Sequence, residues 1–233
     1  MQFLALKKVS LIIISKLNAM KTIPHYFQLF IRPKVKVSVL FLLMVLVSCQ
    51  PILRKIYGIK QPEIENSASI KKKALKYNLD TANIITVNSK DYPYVLKGQG
   101  IPDAAIYDKN GNYIEYRQTD TSCNAGLFQF IPELSLTNQY NKPSKANLKQ
   151  ELVKFRGLKG ETISAIDSAD FFMLIYWTVF VGKLNKDHVK VWEDMARENK
   201  KCKIKVLKVN LDLQEYWDVN ERQKIIQAMK KKK

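Results

Sequence analysis

A chain of 233 residues with 46% hydrophobic content has enough apolar material for a domain-sized core, which excludes a fully disordered chain. Its 39 Lys and Arg against 21 Asp and Glu leave a formal charge of +18, an excess that can serve nucleic acid, an anionic membrane surface or only solubility. Three Cys and two His exclude a disulfide scaffold, and no pattern for a metal or a cofactor is present. No basic-aromatic binding motif accompanies the charge, so nucleic acid is not an expected partner.

The charge is uneven. Residues 1–48 hold seven basic residues (Lys7, Lys8, Lys16, Lys21, Arg32, Lys34, Lys36) and no Asp or Glu. After Arg32, Lys34 and Lys36 comes an apolar run from Val37 to Val47, too short for a spanning helix and the right length for a signal core. It ends in Leu46-Val47-Ser48-Cys49. This order of basic stretch, apolar run, small residue and Cys resembles a bacterial lipobox. The resemblance implies removal of residues 1–48, lipidation of Cys49 and anchoring to the bilayer. Gln50 stands where an Asp would retain such a protein on the inner membrane, which implies the outer membrane, facing the periplasm. A buried amphipathic element and a plain signal-anchor are the alternatives for the same residues. A second apolar patch, Leu11 to Ile14, lies upstream, so the start is either Met1 or Met20. Cleavage would leave Cys123 and Cys202, paired or free.

Residues 49–66 read as a tether, with Pro51, Gly58 and Pro62 and no periodicity, and 67–233 as one domain. Ser67 or Ser69 is expected to cap a helix to about Asn78, with Ile70, Ala74 and Tyr77 on one stripe and Lys71, Lys72, Lys73 and Lys76 outside. Ile84 to Val87 reads as a short strand, and Asp91 to Lys97 as a helical turn ending at Gly98. From Gly100 to Arg117, two β-rich runs flank Asn110-Gly111, a hairpin signal because both residues tolerate positive φ. Ala125 to Ile131 reads as a helix stopped by Pro132. A loop follows, then a helix capped by Ser144 carrying Leu148, Leu152 and Phe155, stopped at Gly157. Leu158 to Asp170 reads as a linker.

Phe171 to Trp177 is a continuous apolar run, the pattern of a strand buried on both faces. Leu184 to Lys200 has helical period, with Leu184, Val191, Trp192 and Met195 inward and Lys186, Lys190, Glu193, Arg197 and Lys200 outward. Ile204 to Val209 is a second strand, so the three make a βαβ unit. Asp218 and Glu221 resemble a capping box for a last helix carrying Ile225, Ile226 and Met229. Lys230 to Lys233 reads as a solvated tail.

Two segments resemble the thioredoxin family. Gly100-Ile101-Pro102 with the Asp108-Lys109-Asn110-Gly111 turn is similar to its cis-proline hairpin, which makes Pro102 the candidate cis-proline. Trp177 to Leu184 is similar to its active-site turn: Trp177 matches the leading Trp and Gly182 the Gly between the cysteines, while Val181 and Leu184 occupy the two cysteine positions. The resemblance implies an α/β fold, a thioredoxin-like three-layer sandwich; because the hairpin precedes the βαβ unit, either the domain is permuted or the two segments belong to a different α/β arrangement. A central mixed sheet of about five strands would carry helices on both faces. Dithiol chemistry needs one thiolate to attack and a neighbour to resolve, and Val and Leu do neither. The resemblance therefore implies a non-catalytic binding or structural module, bound to the bilayer by its anchor and to a protein that no motif identifies. The enzyme alternative is a thiol oxidoreductase or peroxidase-like activity using Cys123, near a helix N-terminus; the same Cys also reads as a small buried hydrophobe. His188 reads as a packed side chain and not a ligand.

Overall fold

The computed structural model describes residues 54–230 except 118, 120–122, 146 and 164. The expected signal, the lipobox and Cys49 lie outside the described residues, as do Thr121, Ser122 and the end of the lysine tail. The compact unit runs from Tyr57 to Lys233.

Its central element is β6, Phe171–Trp177, all seven residues of which are buried. Such a strand must have neighbours on both edges and cover on both faces. On one edge lies β7, Ile204–Asn210, parallel, in the register Phe171 to Ile204 and Trp177 to Asn210. On the other lies β3, Asp103–Asp108, antiparallel, with Asp103 opposite Tyr176 and Asp108 opposite Phe171. The sheet is completed by β2 (Ile84–Val87), parallel to β7, and by β4 (Tyr113–Ile114) and β5 (Phe155–Arg156), giving the order β4-β3-β6-β7-β2-β5. A separate two-stranded parallel ladder joins β1 (Ile64–Glu65) to β8 (Leu213–Gln214).

The pleat divides β6 between two cores. Phe171, Met173, Ile175 and Trp177 face one, with α1 (Ser67–Lys76), α3 (Leu127–Glu133) and α5 (Val191–Glu198) covering it through Ile70, Ala74, Leu127, Ile131 and Trp192. Phe172, Leu174 and Tyr176 face the other, covered by α2 (Tyr92–Gly98), α4 (Leu148–Leu152) and α6 (Val219–Lys230) through Tyr92, Val95, Leu148 and Ile225. The α/β class with helices on both faces is therefore as expected, with six strands in the main sheet and not about five. The Asp108–Gly111 hairpin forms, and Gly111 takes φ +81°. The Ile101–Pro102 peptide bond is cis.

Several local expectations are corrected. Asn66, not Ser67 or Ser69, caps α1, and Ser69 Oγ accepts in turn from the Asn66 N–H in a reciprocal box. Asn147, not Ser144, caps α4, which ends at Leu152, so Phe155 enters the sheet as β5. An apolar residue at i+7 suits either a third helical turn or a buried edge strand, and pairing with β2 decides it. Glu221 does not complete a box with Asp218 but accepts a hydrogen bond from Ser89, while Asp218 alone caps α6. The helix expected from Leu184 begins with a π-type segment, Asn185–Lys190. Glu193, read as outward, is buried.

The Glu193 carboxylate meets Lys208 of β7, which is 2% exposed, and also accepts from the Asp80 N–H. Lys208 belongs to the face of β7 that carries Ile204 and Val206, and its buried charge meets the Glu193 carboxylate of α5. Breaking such a pair leaves an uncompensated buried charge at about 3–5 kcal/mol, whereas replacing both partners by apolar groups is often neutral. Glu193→Ala should therefore destabilise by about that amount in urea denaturation, and Glu193→Leu combined with Lys208→Met should recover most of the loss. Equal destabilisation by the single and the double replacement would show that the pair does not carry this part of the core.

Candidate functional site

Open α/β sheets bind ligands outside the carboxyl ends of their parallel strands. Here that edge is formed by the exits of β2, β7 and β6, and the candidate site lies at the last two. The β6 exit is Thr178, a 3₁₀ turn Val179–Val181, and Gly182. The β7 exit is Asn210 to Gln214, in which the polar residues at 210, 212 and 214 are all buried.

The β7 exit holds the β6 exit in place. One oxygen of the Asp212 carboxylate accepts from the Val179 N–H and from Asn210 Nδ2, each at 2.7 Å. Asn210 Oδ1 accepts in turn from the Asp212 N–H and from Gln214 Nε2, and Gln214 Nε2 also donates to the Asp212 carbonyl at 2.8 Å. The Leu211 N–H donates to the Trp177 carbonyl at 2.8 Å, and Asn185 Nδ2 to the Thr178 carbonyl at 2.8 Å. Among the described residues, Thr178 Oγ1, Asn185 Oδ1, Gln214 Oε1 and the second Asp212 oxygen are buried without a hydrogen-bond partner. Burial pushes the Asp212 carboxyl up to about 7, against the Val179 and Asn210 hydrogen bonds that favour its charged form. The sequence carries a signal for this face: polar residues alternate through Asn210-Leu211-Asp212-Leu213-Gln214, the period-2 mark of side chains on one side of a strand.

The turn is closed from outside by residues expected to be tether. The Lys60 N–H donates to the Phe180 carbonyl at 2.8 Å and the Lys183 N–H to the Tyr57 carbonyl at 2.7 Å. Gly182 makes this approach possible: it has φ +62°, and a Cβ there would stand 2.1 Å from the Tyr57 carbonyl oxygen. Between this strap, α1 and the turn lies a cavity of about 220 Å³. Its wall includes Tyr57, Tyr77 and Phe180, with Lys60, Lys73, Lys76, Lys183, Glu63 and Glu65. Glu65, 2% exposed, accepts from Ser69 Oγ at 2.6 Å and pairs with Lys73. Burial lowers the Lys73 affinity for its proton, but the bond to Glu65 outweighs it and holds the ammonium above the ordinary lysine range. Lys60, Lys76 and Lys183 are exposed and make no ion pair among the described residues.

The structure brings most of the sequence-predicted site together. Trp177, Val181, Gly182 and Leu184 lie on the β6 exit, with Trp177 and Val181 buried and Leu184 half-buried. Pro102 opens β3 one residue before Asp103, which pairs with Tyr176, so Pro102 lies beside Trp177. Cys123 is an exposed free thiol, not a buried hydrophobe. Its neighbour Asn124 donates to the Pro102 carbonyl at 2.5 Å, which ties that segment to the start of β3. Cys202 is also free and half-buried, donating to the Leu134 carbonyl at 3.2 Å; burial pushes its thiol up. His188 packs edge-on against Phe128 and Trp192, as a packed side chain. Among the described residues no group of three His, Cys, Asp or Glu could hold a metal.

Two outcomes test the construction of this edge. Gly182→Ala forces a side chain into backbone and an unfavourable φ, and should cost at least about 1–3 kcal/mol in thermal or chemical unfolding; a neutral result would mean that the strap is not held against the turn. Asp212 keeps its proton in the folded state over a range in which the unfolded chain, at the ordinary 3.8, has lost it. Its contribution is therefore full below pH 3.8, is lost as pH rises towards about 7, and is flat above that. Asp212→Asn should remove this falling limb from a plot of unfolding free energy against pH. Comparison with protein-family models, with curated proteins and with solved structures found no match for this chain.

Proposed function

We propose that this chain is a bacterial envelope lipoprotein, anchored through lipidated Cys49, whose domain is thioredoxin-like with permuted connectivity and works as a binding or structural module without dithiol chemistry. One observation carries the loss of chemistry. Where the two cysteines of that family would stand, this chain has a buried Val181 and a half-buried Leu184, on a turn already covered by its own residues 57–60. Neither side chain ionises, attacks or leaves, so a mixed disulfide has no place to form there.

The fold reading is supported by adjacency. The βαβ unit and the Pro102 hairpin share one sheet, with β3 the direct neighbour of β6 and Pro102 beside Trp177, although the hairpin comes first in the chain. The anchor reading is supported by the order of Arg32, Lys34, Lys36, the Val37 to Val47 run and Cys49. No described helix is long and apolar enough to cross a membrane.

A second reading is favoured by one observation: Cys123 is exposed, and Asn124 secures its segment to the Pro102 carbonyl. On that reading the chain is a thiol oxidoreductase or peroxidase-like enzyme with a single reactive thiol.

Expression of the full chain in a bacterium, with membrane fractionation and mass analysis, tests the first reading. The wild type should carry a diacylglycerol-sized mass addition on Cys49 and sediment with membranes. Cys49→Ser should lack that mass; a Cys49→Ser chain still lipidated would remove this processing site. The purified wild type should show no thiol-dependent reduction of insulin or hydrogen peroxide. Turnover that disappears in Cys123→Ser would establish the enzyme reading instead.

A further inference from the structure

The cavity beside the β6 exit has a charge pattern that its own fold does not use. Of the four lysines around it, Lys73 is consumed by Glu65, with Glu63 3.7 Å away. Lys60, Lys76 and Lys183 come from three separate elements, the strap, α1 and the turn, and reach one opening with no acidic partner among the described residues. Between them Tyr57, Tyr77 and Phe180 supply apolar wall. The opening is built and not a chance hollow, since two backbone hydrogen bonds and the positive-φ Gly182 clamp one of its sides.

Chain length says what lies near it. Tyr57 lines the cavity and is eight residues from Cys49 (57 − 49), a span of at most about 28 Å when fully extended. If Cys49 carries the lipid, the cavity is within that reach of the bilayer surface whatever path residues 50–56 take. On so short a tether a rim of three lysines can come within a Debye length of the surface, where anionic headgroups attract it.

We propose that this cavity is a headgroup site for an anionic phospholipid of the membrane that carries the anchor, with Lys60, Lys76 and Lys183 around the phosphate and Phe180 and the two tyrosines against its glycerol and first methylenes. This rests on the lipoprotein reading for the identity of the membrane. A bound headgroup would hold this face of the domain towards the bilayer in place of free swinging on a tether.

The test uses the full lipidated chain in neutral detergent micelles, titrated with dihexanoyl phosphatidylglycerol, dihexanoyl phosphatidylcholine and inorganic phosphate, with binding read by amide chemical shifts of the strap and α1. Phosphatidylglycerol should bind at least tenfold tighter than phosphatidylcholine, with the shifts confined to the strap, α1 and the turn. Lys near an anionic surface contributes about 1 kcal/mol, or about fivefold. Combined Lys60→Ala, Lys76→Ala and Lys183→Ala should therefore weaken binding roughly a hundredfold. Combined Lys71→Ala and Lys72→Ala, on the exposed face of α1 away from the cavity, should leave it within twofold. Equal affinity for the two lipids, equal loss in both lysine variants, or saturation by inorganic phosphate as tight as by the lipid would each overturn the proposal. The mass of Cys49, measured on the same sample, reports the anchor separately. A headgroup site without a lipidated Cys49 and a lipidated Cys49 without a headgroup site are thus distinct results.

Discussion

The structure depends on β6 being buried along its whole length. Seven successive apolar side chains cannot face water on either side of a sheet, so the strand demands a hydrogen-bonded neighbour at each edge and a helical layer on each face. Those four demands account for the parallel partner β7, the antiparallel partner β3 and the two separate cores. The same burial constrains the residues just beyond the strand. When β6 ends at Trp177, the chain is still inside the protein, and its next polar groups need protein partners at once. Asp212 and Asn185 meet that need for the Val179 amide and the Thr178 carbonyl.

That arrangement links the fold to the proposed role. The turn after β6 is braced from below by the exit of β7 and covered from above by residues 57–60. A turn so held presents a fixed wall, and Val181 and Leu184 on it carry no thiol for exchange. The concentration of unpartnered buried polar atoms around it, at Thr178, Asn185, Asp212 and Gln214, is the costly feature of the molecule. Its position coincides with the edge at which open sheets place their ligands.

The βαβ unit and the hairpin are legible in the sequence because each is announced by local rules: a long apolar run, a helical stripe, an Asn-Gly turn. The first helix cap is not legible to within three residues, since Asn66, Ser67 and Ser69 are all acceptable caps, and only the folded chain shows the Asn66 side chain accepting from the Ser69 N–H. Phe155 is ambiguous for a similar reason, because helical period and an edge strand share an apolar residue at that spacing. Glu193 reads as solvent-facing because a carboxylate has that preference by itself, and Lys208 is fifteen residues away.

Residue order alone therefore determined the class of the fold, the identity of its central strand and the absence of a cysteine pair on the turn behind it. These depend on side-chain hydrophobicity, backbone period and chemical identity, which are properties of short segments. The tertiary structure decided which charges are buried and which are free: Lys208 against Glu193, Lys73 against Glu65, and Lys60, Lys76 and Lys183 left around one cavity. It also turned a stretch of tether into the wall of that cavity. Pairings of this kind join residues far apart in the chain, such as Lys60 and Phe180, and a charge becomes either a core component or a ligand group only when its distant neighbours are in place.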